Sequence, residues 1–377
     1  MDKYLIVTTV GITIKTFLIA HIEYLLNHGY SVELASNFEG MNDRDFNLIK
    51  NTGAKMHQID FTRSAKSIGN HFKSYKQIST LINSENYSKI FVHTPIAAFL
   101  TRRAARNSSA EVTYFAHGLQ FYKGASKLSW LIFGTMEKRA LKWTDNLVTI
   151  NQEDYDYFSG VKPDCVMLYK IPGIGINESF MQKLKDNRDS LDQSFGIQSD
   201  DFLVLSIGEL NENKNHILAL NAMKILISNN NKIKYIILGT GDRLSSYEAF
   251  IKVNQLGNNI FFGGYQGNVV PFLERTDLFL SCSYREGLPV SVLEAMSSKK
   301  PVLVSNIRGH VDLIKNDKFL YDIKTISPEI LAEHIESLIN DSHELEAEGI
   351  KNYKRSSEYQ LSNVLKALNK VYCVDED

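Results

Sequence analysis

The sequence predicts an α/β protein built as two doubly wound, Rossmann-like domains facing a cleft. Three observations carry that expectation. The chain has 377 residues, a length that suits two domains of ordinary size. Short β-rich runs alternate with helical patterns, as they do where crossover helices join parallel strands. The alternation breaks at Lys170–Asn177 (KIPGIGIN), whose proline and two glycines mark a linker or hinge, and then begins again. The division expected from this is 1–173, 174–350 and a helical tail at 351–377.

Taken in order, Tyr4–Thr9 reads as the first strand. Leu18, Ile22, Leu25 and Leu26 then recur at helical spacing, and Gly29 sits where that helix should stop. Ser31–Ala35, Lys89–His93, Val112–Ala116 and Asn146–Ile150 complete the first series of strands. The charged stretch Lys183–Asp192 reads as a surface helix. Phe202–Gly208, Lys234–Leu238, Asn259–Phe262, Asp277–Ser281 and Pro301–Ser305 form the second series, and the pattern is helical from about Ser342. Open parallel sheets of this kind bind ligands at the carboxyl ends of their strands, so the residues that follow each strand are the ones to inspect.

Composition narrows the function. Hydrophobic residues make up 44% and charged residues 23%, ordinary for a chain that buries full cores. A net charge of −1 gives no reason to expect nucleic acid as a partner. Three cysteines, Cys165, Cys282 and Cys373, have no metal-ligand spacing, which suits a reducing compartment without disulfides or zinc. The apolar N-terminal run is too short for a secretory core segment, and no window of the sequence is long and apolar enough to span a membrane. The expected location is cytoplasmic.

The strongest chemical signal is Ser283–Glu294 (SYREGLPVSVLE), where a buried-looking strand runs through a short loop into a helix. Pro289 suits the first helical turn, and amides at a helix start can hold phosphate. Glu286 before the helix and Glu294 within it are in E-x7-E spacing. One carboxylate can meet a sugar while the other, deeper, accepts two hydrogen bonds from ribose hydroxyls. The plain alternative is a pair of exposed helix-end charges, against which the intervening Gly287-Leu288-Pro289 argues. In Ser206–His216 (SIGELNENKNH), Gly208 ends a strand and can let backbone approach a diphosphate, while Lys214 offers it a point charge; an ordinary solvated lysine fits the same pattern. Gly239 and Gly241 (LGTGD), and Gly263-Gly264-Tyr265, are strand-end turns of a common kind. In the first series, Gly11 follows the first strand, and His117-Gly118 ends another. A histidine there can bond a sugar or move a proton, or serve structurally by bonding backbone.

Glu286-Gly287-Leu288-Pro289 with Glu294, together with Gly208, Lys214 and His117-Gly118, resembles glycosyltransferase family 4. Segments 93–105 (HTPIAAFLTRRAA), 115–125 (FAHGLQFYKGA), 150–155 (INQEDY) and 307–314 (IRGHVDLI) are similar to its bacterial capsule and exopolysaccharide branch. The resemblance covers nearly the whole chain. It implies a GT-B fold with the acceptor domain first, the nucleotide-sugar domain second, and a C-terminal helix crossing back to the first. It implies a retaining transfer with no required metal or other cofactor. By it Glu286 contacts the donor sugar, Glu294 the ribose, Lys214 the diphosphate, and His117 lies beside the transferred sugar. Gly239, Gly241, Tyr265, Gly287, Leu288 and Pro289 fall on the donor side, amides near Gly309 assist the phosphates, and Gly11 and Gly118 lie on the acceptor side. One departure is Glu209, where the family often has arginine; Arg285 and Arg308 are candidates for the missing charge. The single Gly11 is also leaner than the family's common di-glycine loop.

The expected reaction takes a UDP-sugar, with UDP rather than GDP suggested by the branch, and passes the sugar to a growing lipid-linked oligosaccharide. The acceptor attacks from the face that UDP leaves, a phosphate oxygen takes the proton, and closure about Ile171–Ile176 excludes water. Phe121–Trp143 mixes Phe121, Tyr122, Trp130, Phe133 and Trp143 with Lys123, Lys127, Lys138, Arg139 and Lys142. That mixture fits a peripheral contact with an anionic membrane face, or a helix packed into the first domain. The rival readings are a non-catalytic, membrane- or partner-binding scaffold, which Glu209 motivates, and a nucleotide-sugar epimerase, which the EGLP context opposes.

Overall fold

The structure, a computed structural model, describes residues 2–64, 66–177, 192 and 194–374. The expected surface helix Lys183–Asp192 lies outside them except for Asp192. The chain divides into two compact units, Met1–Gly175 with Ser362–Asp377, and Ile176–Leu361.

In the first unit the strands are β1 (Lys3–Val10), β2 (Ser31–Asn37), β3 (Lys55–Gln58), β4 (Lys89–His93), β5 (Glu111–Ala116), β6 (Asn146–Thr149) and β7 (Met167–Lys170). They form a sheet ordered β3-β2-β1-β4-β5-β6-β7, parallel at every described pairing. All five residues of β4 are buried, as expected where helices cover both faces of a parallel sheet. The order reverses between β1 and β4. The helix read from Leu18, Ile22 and Leu25 is Ile19–Asn27, preceded by a shorter one at Gly11–Phe17, and Gly29 takes φ +82 beyond its end, a conformation that suits glycine.

In the second unit β8 (Phe202–Ile207), β9 (Ile233–Leu238), β10 (Ile260–Gly264), β11 (Leu278–Ser281), β12 (Val302–Ser305) and β13 (Leu320–Tyr321) are ordered β10-β9-β8-β11-β12-β13, again parallel. Its core runs along the strand centres, with Leu203, Leu205, Ile236, Leu280 and Leu303 fully buried. The order reverses between β8 and β11. Loops that follow those two strands therefore flank the switch point, where such sheets hold ligands.

The tail differs from its expected boundary. Residue 351 falls inside the helix Ser342–Ser356, which belongs to the second unit. A side chain on Gly349 would meet the Lys299 carbonyl oxygen at 2.2 Å, and Asn352 donates to the Lys300 carbonyl. The helix Leu361–Tyr372 is the one that returns. Tyr372, 3% exposed, bonds His21 through its hydroxyl (3.0 Å) and accepts from Tyr4 at its carbonyl (2.9 Å). Its ring lies 5.2 Å from that of Phe91. Tyr372→Ala is expected to cost about 3–5 kcal/mol, and calorimetry should show the first unit melting on the order of 10 °C earlier. An unchanged melting profile would mean that the helix is not docked.

No described helix is long and apolar enough to cross a membrane.

Candidate functional site

At the switch point of the second unit two loops are stitched together. The loop after β8 sends Asn213 and Lys214 toward the loop after β11. The Tyr284 amide donates to the Asn213 carbonyl (2.8 Å), and the Asn213 side chain donates to the Arg285 carbonyl (2.9 Å). One residue further on, Lys214 Nζ donates to Glu286 Oε1 at 2.7 Å. Lys214 and Glu286 keep 21% and 13% of their side-chain surface exposed, so the pair is accessible yet poorly hydrated. Burial, the largest single influence, pushes the Glu286 carboxyl up, but the opposing attractions, led by the Lys214 charge and including the hydrogen bonds from Lys214 and Ser283, together outweigh it and the net displacement is downward. Glu286 is therefore ionised at neutral pH. Asn213 carried no signal in the sequence, since its partners are 71–72 residues away.

Gly208 makes room for the lysine: a β-carbon there would lie 2.9 Å from Lys214 Cε. Pro289 is the residue before the helix Val290–Ser297 and not a member of its first turn; at φ −75 and ψ 115 it sets the chain's entry angle. Glu294 is half-buried within this helix, with no polar partner among the described residues. Loss of water alone raises its carboxyl to about 7.

Three glycine expectations of the second unit change. Gly239 and Gly241 are taken up by the protein's own backbone: β-carbons there would meet the carbonyl oxygens of Gly208 at 2.0 Å and Leu210 at 2.4 Å. The amides of Gly208 and Leu210 donate across the same seam to Leu238 and Thr240. The Gly309 amide donates to Asp312 (3.1 Å) rather than pointing at a ligand, and a Gly309 β-carbon would strike the Gly287 carbonyl oxygen (2.7 Å), so Gly309 supports the EGLP loop from behind. Arg308 does likewise, donating from Nε to the Glu286 carbonyl (3.1 Å) while 6% exposed. Leu288 packs against the core edge, and Tyr265, 71% exposed, stands just beyond β10. Glu209 is exposed and makes no described ion pair. His310, fully buried, bonds the Ser305 carbonyl through Nδ1 (2.9 Å), while its Nε2 has no partner among the described residues.

In the first unit Gly11 is buried under Phe38 and Met41: its β-carbon would lie 2.4 Å from Met41 Sδ. It packs there and is not an open approach for a ligand. His117 is half-buried just beyond β5, its Nε2 2.8 Å from His93 Nδ1, and burial lowers its pKa to about 4. Gly118 follows at φ +114, a backbone that only glycine adopts readily. The Phe121–Trp143 surface is rearranged from the expected one. Phe121 is 2% exposed, packed on Trp130 and Tyr157. Leu128, Trp130, Leu131 and Ile132 are the apolar residues that face solvent, among exposed Lys123, Lys127, Lys138, Arg139 and Lys142.

Two family models match the chain: "Glycosyl transferases group 1" over residues 187–356 and "Glycosyl transferase 4-like" over residues 6–151. A Bacillus subtilis protein bearing the glycosyltransferase name EpsD is 28% identical over 368 residues, 94% of this chain and 93% of its own. An Escherichia coli relative, UDP-Gal:alpha-D-GlcNAc-diphosphoundecaprenol alpha-1,3-galactosyltransferase, is 26% identical over 67% of each chain. Among solved structures, Anabaena HepE in complex with UDP and glucose superposes with a TM-score of 0.80 at 15% identity, covering 99% of this chain and 100% of its own.

Proposed function

The chain belongs to the GT-B glycosyltransferases of the group 1 and 4-like kind, and on that premise we propose that it moves a sugar from a UDP-sugar to a lipid-linked saccharide with retention of anomeric configuration. The observation that carries the proposal is the Lys214–Glu286 pair at the switch point, with Glu294 in the helix that follows the Glu286 loop. In the free protein each charge satisfies the other. An arriving diphosphate competes for Lys214, and Glu286, released, accepts hydrogen bonds from the donor sugar. Glu294 accepts from the ribose diol. Lys214 then offsets charge on the departing UDP, whose phosphate oxygen takes the acceptor's proton, so the reaction is proposed to need no resident metal. In the first unit His117 is the group proposed to touch the transferred sugar. The basic, apolar surface around Leu128 and Leu131 supports contact with the membrane that holds the acceptor, on its cytoplasmic face.

The test is thermal unfolding with UDP, GDP and ADP in turn, each near millimolar and with a chelator present. A nucleotide at about 100 times its dissociation constant stabilises by about 2.7 kcal/mol, a shift of several degrees. UDP alone is expected to give it. A shift with GDP alone would correct the donor, and no shift with any would favour a scaffold that has lost donor binding.

Glu294 adds a pH signature. Its carboxyl, near 7 in the free protein, is mostly protonated at pH 6 and mostly ionised at pH 8, and the ionised form is the better acceptor for a diol. Affinity for UDP-glucose, whose diphosphate diester does not titrate in this range, should therefore rise about tenfold from pH 6 to pH 8. Calorimetric titration of Glu294→Gln should show weaker binding without that slope; a slope that persists would assign it to another group.

A further inference from the structure

β4 and β5 pair with His93 opposite Phe115. Side chains on a strand alternate between faces, so Phe91 and His93 share one face with Phe115 and His117. The rings form a continuous stack: His93 lies 4.5 Å from Phe115 and 5.1 Å from His117, each at 15°. Phe91 and Tyr372 continue the row toward the C-terminal helix. At its outer end His93 Nδ1 meets His117 Nε2 at 2.8 Å. Burial holds both imidazoles below their ordinary proton affinity, so both are neutral. One nitrogen of the contact must donate and the other accept, and the tautomer of either ring dictates that of its neighbour.

The backbone at this point is constrained as well. Thr94, next to His93, takes φ +66, a region that β-branched residues avoid. It is held there by the Thr9 amide, which donates to its hydroxyl (2.9 Å), and by the Thr9 hydroxyl (2.7 Å). Such strain persists where the surroundings over-determine it, and it gathers at functional sites.

We propose that His93 is a positioning residue that fixes the ring plane and tautomer of His117, and so decides whether His117 offers a donor or an acceptor to the sugar. This rests on the reading of His117 as the sugar-contacting group. His93 does not itself touch the substrate.

Two variants separate hydrogen bond from packing. His93→Phe keeps the stacked ring and loses the bond; His93→Asn loses the ring and keeps an amide close to the place of Nδ1. With UDP-glucose and a lipid-linked acceptor, His93→Phe is expected to lower kcat about 10–100-fold, with KM for the donor changed less than about twofold. His93→Asn should stay within about fivefold of the parent. Long-range proton–nitrogen NMR should find His117 in one tautomer in the parent and in a mixture in His93→Phe. A tautomer mixture in the parent would overturn the proposal whatever the variants do. So would wild-type turnover in His93→Phe beside an inactive His117→Ala, which would leave the sugar-contact reading standing. Equal loss in both His93 variants with an unchanged spectrum would reduce His93 to packing. Full activity in His117→Ala would instead remove the reading on which the proposal rests.

Discussion

Replacing Lys214 with methionine is expected to lower sugar transfer by about 10²–10³-fold, the usual cost of removing one preorganised charge contact from a reaction that develops negative charge. The lysine stem lies over Gly208, where a β-carbon would press on it at 2.9 Å, and its ammonium sits in a poorly hydrated setting where a charge counts for more than in water. The variant should also lose the stabilisation that UDP gives to the parent. Removing Lys214 leaves Glu286 partly desolvated and without its ion-pair partner, which destabilises the fold by about 1–3 kcal/mol. The double variant Lys214→Met with Glu286→Gln separates the two effects: melting should recover and transfer should not. Transfer within about threefold of the parent in Lys214→Met would take the lysine off the diphosphate.

Most of the fold and part of the site can be read without coordinates. Strands such as Lys89–His93 announce themselves because burial on both faces makes their centres apolar, here Ile90, Phe91 and Val92. The three unread strands, β3, β7 and β13, are short and lie toward sheet edges, and the first two have exposed ends around a half-buried centre. Glu286, Lys214 and His117 stood out as candidates because each is a charged or titratable residue following a strand. Glycines were less so, because a missing side chain reports a close approach without naming its partner: Gly239 and Gly241 accommodate Gly208 and Leu210, Gly309 accommodates Gly287, and Gly11 accommodates Met41. Residues that matter through distant pairing were silent. His93 looked like the end of a strand until register placed it opposite Phe115, and Asn213 had no visible role until its loop met Arg285. The solvent-facing Leu128, Leu131 and Ile132 were passed over for aromatics, of which Phe121 turned out to be core.

Glu286→Gln is the second large expected effect, and its direction on binding should oppose that of Lys214→Met. Glutamine keeps the shape of the side chain and one acceptor oxygen but gives up the charge, so a charge-assisted hydrogen bond to the donor sugar, about 1.5–3 kcal/mol, is lost. Transfer should fall at least about tenfold, with folding intact because no unpaired carboxylate is left behind. In the free parent, however, Glu286 neutralises at 2.7 Å the cation proposed to hold the diphosphate. Glutamine releases Lys214 from that competition, and the affinity for UDP, which lacks the transferred sugar that Glu286 is proposed to hold, should stay level or rise. Titration calorimetry with UDP beside the transfer assay reads both quantities. Weaker UDP binding in Glu286→Gln would mean that the carboxylate orients the lysine for the phosphates rather than competing with them. Unchanged transfer would remove Glu286 from the mechanism and leave the ion pair a structural clasp between the loops after β8 and β11.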